Sequence, residues 1–215
     1  MPNEHVYEYL TAPEVRFLDA ALSRLIPADE LGPGAREANV TSFIDRQLAG
    51  AWGVHGRNYR MGPWRKGTPQ QGYQSPLTPQ ELYRAAIRET DEHCVSQLGK
   101  PFHALSVDQQ DEVLRALEDD AIELTSVSSR MFFGVLWRNT EEGFFADPVY
   151  GGNKNKIGWR LIGFPGVAAS DYTAHMSDVN IPYRVEPVSI ADIQRGDVTL
   201  DAQGFAKHVP LRERK

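Results

Sequence analysis

Cysteine is almost absent from this 215-residue chain. Cys94 stands alone, which excludes an intrachain disulfide, and also an iron–sulfur cluster or c-type haem held by this chain alone. With one thiol, cysteine usage says nothing about compartment. Long apolar runs are absent too: no stretch approaches the ~20 residues that cross a bilayer. Met1 to Leu10 carries Asn, Glu and His where a secretory signal has a basic segment and an apolar core, so no export signal is expected in the chain as written. An excess of basic charge is lacking as well. The net charge is −6, and Arg and Lys are scattered apart from the closing Arg212-Glu213-Arg214-Lys215, which reads as a solvated end. Nucleic acid is therefore not expected as a main partner, because phosphate recognition needs a basic surface.

Signs of chemistry are equally sparse. The histidines are His5, His55, His93, His103, His175 and His208, and none are paired at the three- or four-residue spacing that puts two metal ligands on one helical face. His93, near Glu89 and Asp91, reads as a structural histidine. Asp119-Asp120 and Glu141-Glu142 are neighbours in sequence, but adjacent helical side chains diverge, so a solvated face is the reading for both. No Gly-x-Ser-x-Gly elbow occurs, and Cys94 lies mid-helix. Composition leaves open a triad assembled from distant positions. Gly151-Gly152 follows a loop without the strand–turn–helix setting of a dinucleotide site.

What is present is a soluble-protein composition, 41% hydrophobic and 24% charged, of a length that needs only one core. Thr11-Ala12-Pro13-Glu14 is a capping box with Pro in the first turn, and Val15, Leu18, Leu22 and Leu25 follow at helical spacing until Pro27. Val40, Phe43, Ile44 and Leu48 predict a second helix ending near Gly50. Residues 51–77 are Gly-, Pro- and Gln-rich without period. They predict a long loop, either pinned to the surface by Trp52, Tyr59, Trp64 and Tyr73 or used for a partner. Thr78-Pro79-Gln80-Glu81 caps a third helix that runs to Leu98, with Gly99 as its stop. Ser106 caps a fourth whose buried face is expected to be Val107, Val113, Leu114 and Leu117. A fifth is expected over Thr125 to Glu141, facing inward with Val127, Met131, Val135 and Leu136. Phe132, Phe133 and Trp137 widen that face, which suits a central or interfacial helix. From Gly143 turn formers and aromatics predict a loop. Beyond Gly166 the chain is Pro- and Tyr-rich (Ile181-Pro182-Tyr183, Glu186-Pro187), with one short helix from Ser189 to Arg195. The fold expected is mainly α: a single helical-bundle-like domain over 11–166 with long loops, then an extended C-terminal arm over 167–215.

The segment Phe144-Phe145-Ala146-Asp147-Pro148-Val149-Tyr150-Gly151-Gly152-Asn153, followed by Gly158-Trp159-Arg160-Leu161-Ile162-Gly163-Phe164-Pro165-Gly166, resembles the signature of the gluconate 2-dehydrogenase subunit 3 family. Phe17 to Pro27, Gly99 to Glu118 and Phe132-Phe133 through Gly143 match the family's order. The resemblance covers roughly residues 12 to 166. Members are small subunits of membrane-associated bacterial dehydrogenases acting on gluconate, glucose, fructose or sorbitol. In such complexes an FAD-containing flavoprotein of the glucose–methanol–choline type oxidises the substrate, and a multihaem cytochrome c takes the electrons and anchors the assembly.

The resemblance implies a non-catalytic accessory subunit that binds the flavoprotein and supports its folding and twin-arginine export. FAD and haem c are then expected in the partner subunits, with no cofactor or metal on this chain. The location implied is periplasmic, membrane-associated through partners; with no twin-arginine signal visible, the cytoplasm is the alternative. The tail from Val167 onward is longer than the family core needs. Physically, Pro148, Gly151, Gly152 and Asn153 favour a fixed turn that presents aromatics of the kind enriched at interface centres. The partner-binding candidates are Trp137, Phe144, Phe145, Tyr150, Gly151, Gly152, Asn153 and Trp159. The alternative is that this loop packs back on its own bundle. Two other function classes compete with the accessory subunit. One is an enzyme using His93, His103 and nearby carboxylates in a pocket, and the other is a structural homo-oligomer.

Overall fold

The structure is a computed structural model, and it describes residues 6–56, 59–65, 67–71, 75–167 and 183–211. Tyr73, His5, His175, Ile181, Pro182 and the closing Arg212–Lys215 lie outside these residues. Among the described residues the helices are α1 (Ala12–Leu25), α2 (Val40–Ala49), α3 (Pro79–Leu98), α4 (Val107–Glu118), α5 (Ser129–Phe145), α6 (Ile157–Ile162) and α7 (Ile190–Arg195). They carry no strand, only isolated bridges. The fold is mainly α, as the sequence predicts.

The capping signals act as their residue types require. The Glu14 carboxylate accepts from the Thr11 amide at 2.7 Å, and the Glu81 carboxylate from the Thr78 amide at 2.7 Å. Glu14 also pairs with Arg84 at 3.0 Å, tying α1 to α3. Four aromatics meet at the centre. Phe17 stacks on Phe102 with centroids 4.7 Å apart, and Tyr83 meets Phe132 edge-on at 5.8 Å. All four are fully buried. The Tyr83 hydroxyl accepts from Asn139 Nδ2 at 2.9 Å, which satisfies two buried polar groups at once.

The structure departs from the sequence reading at several points. The fifth helix begins at Ser129, because the Ser128 hydroxyl and the Asp120 carboxylate accept the free amides of Met131 and Arg130. Asp120 is thus part of a cap rather than of a plain solvated face. The helix also runs on to Phe145. Gly143 lies inside it and does not break it, since a Cβ there would come within 2.8 Å of both Phe43 and Val40 on α2. The inward face is Phe132, Leu136, Asn139, Thr140, Gly143 and Phe144, while Met131 and Val135 are only half-buried. On α4 Val107 is exposed. Gln110 takes its place inside by donating to the carbonyls of Phe102 and Leu105. Of the aromatics expected to pin the loop after α2, Tyr59 is exposed, while Trp52 and Trp64 are partly covered. Backbone and amide bonds hold the loop: Gln80 donates from its amide to Gly53 and from its side chain to Leu48.

Candidate functional site

The loop from Phe144 to Gly166 is built on close backbone contacts. A Cβ at Gly152 would lie 2.2 Å from the Gly143 carbonyl oxygen, and one at Gly158 would lie 2.2 Å from that of Phe144. Both positions therefore demand glycine, and the chain after α5 folds tightly back against it. Asn153 holds the return. Its backbone is left-handed at φ 46, its Nδ2 donates to the Ala146 carbonyl at 2.8 Å, and its Oδ1 accepts from the Gly158 amide at 2.8 Å. One buried side chain thus terminates α5 and caps α6. Trp159 adds a third tie, donating from Nε1 to the Phe145 carbonyl at 2.7 Å.

The eight candidate residues divide into two groups. Phe144, Gly152, Asn153 and Trp159 are buried in the chain's own packing, so they shape the loop rather than face outward. Trp137 (38% exposed), Phe145 (39%) and Tyr150 (52%) reach the surface, and Gly151 is half-buried. The sequence reading overlooked a second set of exposed apolar side chains: Leu161, Ile162 (60%) and Phe164 (41%). Phe164 packs edge-on against Trp159 at 5.1 Å, and Phe145 against Phe144 at 5.0 Å. Trp159 is thus tied to both neighbours, by a hydrogen bond to the Phe145 carbonyl and by the edge-on ring contact with Phe164. Trp137 lies two turns before Phe145 on the same side of α5. The missed signal was the length of α6. Six residues cannot bury both sides of a helix, and the Gly158-Trp159 face is the buried one.

Residues 12–166 match the family described as gluconate 2-dehydrogenase subunit 3. The chain belongs to that family. No curated protein and no solved structure matches it. The matched span ends at Gly166, so it contains the whole Phe144–Gly166 loop of this family member and leaves out the segment that docks on it. The docking is polar. The amide of Ile190 donates to Asp147 Oδ2 at 2.7 Å, and Lys156 pairs with Asp192 at 2.9 Å. The amide of Val188 donates to the Pro165 carbonyl at 3.0 Å, and that of Val167 to the Val188 carbonyl at 2.8 Å. Asp147 also accepts from Val149 at 2.9 Å, so one carboxylate holds the turn and the incoming α7.

Of the groups in the enzyme reading, His103 and Asp91 lie close enough to interact electrostatically. Asp91 lines a cleft between α1 and α3 with Arg84, Arg88 and Glu92, and no histidine borders it. Burial raises the Asp91 carboxyl above its usual range, against the lowering effect of the Phe102 amide and the His103 charge. Burial likewise pushes the Cys94 thiol up to about 11, which leaves it an inert thiol at neutral pH. Among the described residues no group of three or more His, Cys, Asp or Glu side chains is placed to hold a metal ion. No described helix is long and apolar enough to cross a membrane.

Proposed function

We propose that this chain is the non-catalytic small subunit of an FAD-dependent sugar or sugar-acid dehydrogenase complex, and that it docks on the flavoprotein through Phe145, Leu161, Ile162 and Phe164. The observation that carries this reading is an apolar surface on a fixed backbone. Phe145, Leu161, Ile162 and Phe164 are all exposed on the segment that runs from the end of α5 through α6, and Trp159 within it is fixed by a hydrogen bond to Phe145 and a ring contact with Phe164. Exposed apolar side chains grouped on a fixed backbone are costly to leave in water and suit association, because ordering them on binding forfeits little entropy. Trp137 and Tyr150, also exposed, are further candidates for the same partner. Family membership supports association with a dehydrogenase complex, and the partner proposed within it is a glucose–methanol–choline-type flavoprotein that carries the FAD and oxidises the substrate. A multihaem cytochrome c acts as the electron acceptor, and the complex sits in the periplasm at the membrane. The role of this chain is to support the folding, export or stability of the flavoprotein.

The test is co-purification of the tagged chain from its native host. The eluate is examined for stoichiometric FAD, haem absorbance and dye-linked oxidation of gluconate, glucose, fructose and sorbitol. A flavoprotein recovered with the chain, and lost with Ile162→Asp or Phe164→Asp while the variants remain folded, is the expected result. A chain that elutes alone and colourless sinks the proposal.

A further inference from the structure

Beside the apolar surface lies a cleft of about 530 Å³ with a charge opposite to that of the protein. Its walls carry Arg46, Lys154, Lys156, Arg160 and Arg195 against the single carboxylate of Asp192, whereas the chain as a whole is at −6. The ion pairs in this region join Lys156, Arg160 and Arg195 to Asp192, Glu186 and Asp197. Among the described residues those pairs leave Arg46 and Lys154 without a carboxylate. Arg46 is held in place nonetheless. Its stem crosses the turn where a Cβ at Gly151 would lie 3.0 Å from its Cδ, and one guanidinium N–H donates to the Val149 carbonyl at 3.3 Å. Its remaining N–H groups stay available for another acceptor. The Lys154 amide donates to the Ala38 carbonyl at 2.9 Å, which fixes the base of that side chain on the opposite wall. The one acid in the lining, Asp192, is taken up by Lys156 and by the cap of α7. Burial alone would raise the Asp192 carboxyl, but hydrogen bonds from Lys156 and from Ser189, together with the Lys156 charge, hold it at about 2.

We infer that this cleft is a binding site for a small oxyanion carrying two or more negative charges, with Arg46 and Lys154 as its primary ligands and Lys156, Arg160 and Arg195 as the surrounding field. The volume falls within the range of small-molecule sites, and three guanidinium groups suit the paired oxygens of carboxylate or phosphate. The walls come from α2, the turn after Gly151, α6 and α7, so a bound anion bridges the helical core and the C-terminal segment. Binding at this site does not depend on the flavoprotein partner, so the purified chain suffices for the test.

Inorganic phosphate and citrate are titrated calorimetrically into the full chain at constant ionic strength, with acetate as a singly charged control. Saturable binding of phosphate or citrate but not acetate is expected, and the preferred anion tells phosphate from polycarboxylate. Each cation removed, as Arg46→Gln or Lys154→Gln, is expected to weaken binding roughly tenfold. The double variant is expected to abolish it while leaving the helical circular dichroism unchanged. Bound anion should also slow amide exchange across 186–196. Absence of saturable binding in the wild-type chain overturns the inference, and so does equal affinity in the folded single variants. Should a variant fail to fold, the wild-type titration and the exchange pattern still decide.

Discussion

Residues 12–145 and residues 183–211 meet water in opposite ways. In the first span Phe17, Leu18, Leu22, Ile44, Leu48, Leu82, Phe102, Leu117, Phe132 and Leu136 are fully buried in one continuous cluster. That cluster reaches from Leu10 to Phe144 and takes nothing from the second span. In the second, Ile190, Ile193, Leu200, Phe205, Val209 and Leu211 are all exposed, and only Pro187, Val188, Ala191 and Ala206 are buried among the apolar side chains. Its attachment runs through Asp147, Lys156, Asp192, the pairing of Glu186 with Lys156 and Arg160, the contact of His208 with the Val167 carbonyl, and single backbone bonds. One region is held by area, which is insensitive to salt and pH, and the other by a few charges and hydrogen bonds, which are not. The two should therefore come apart separately, with the segment leaving first.

The largest effect tests the core half of that contrast. Phe132→Ala empties the site between Phe17 and Tyr83, at ring distances of 6.3 and 5.8 Å. It should cost about 3–5 kcal/mol in global unfolding by denaturant. A cost below ~1 kcal/mol would mean that the aromatic centre is not where the stability lies. Next in size is Asn153→Ala, which orphans the buried Ala146 carbonyl and Gly158 amide together. The expected loss is about 3 kcal/mol, with an exposed Trp159 seen as a red-shifted fluorescence component. Unchanged stability would show that the loop does not depend on this bridge.

Asn153 also marks the limit of what the sequence could say. Capping boxes at Thr11, Thr78 and Ser106 and the apolar periods of α1 and α2 were legible because they are local: the residues that decide them lie within one or two turns. The resemblance to the subunit 3 family was legible in the Tyr150-Gly151-Gly152-Asn153 and Gly158-Trp159 elements for the same reason, since a fixed turn leaves a short pattern. Gly143 was misread as a breaker because its need for a missing Cβ is set by Phe43 and Val40, about a hundred residues away in sequence. The outer surface at Leu161, Ile162 and Phe164 was likewise hidden, because which side of a short helix is covered depends on tertiary packing. The basic cleft draws its cations from α2, the turn after Gly151, α6 and α7, and no short sequence window contains them all.

A third change tests the junction. Gly166 has φ +76, and a Cβ there would meet the Val188 carbonyl oxygen at 2.0 Å and Trp159 at 2.8 Å. Gly166→Ala should weaken docking of the C-terminal segment by about 2–3 kcal/mol. Amide exchange across 186–196 should accelerate, while exchange in α3 and α5 should stay as it was. If α3 and α5 lose protection as well, the two regions form one cooperative unit and the contrast fails.

Acid tests the same attachment without changing a residue. The folded Asp192 carboxyl is lowered to about 2, from an ordinary aspartate value of 3.8. A carboxyl that binds its proton less readily when folded stabilises the folded state at every pH above the unfolded value. That contribution is lost as pH falls through the window between about 4 and 2. The shift is worth about 2 kcal/mol at neutral pH. Because little apolar area backs the attachment, a loss of that size should free α7 while the bundle remains. The α7 amide resonances are expected to move toward random-coil positions as the pH is lowered from 5 to 2.5. Asp192→Asn should show much of this displacement already at pH 7, with a smaller change left in that window from Asp147 and Glu186, which also hold the segment. Resonances that hold steady through the window in the wild-type chain would mean that the charge pair does not hold the segment, and that Val188 and Ala191 suffice to anchor it.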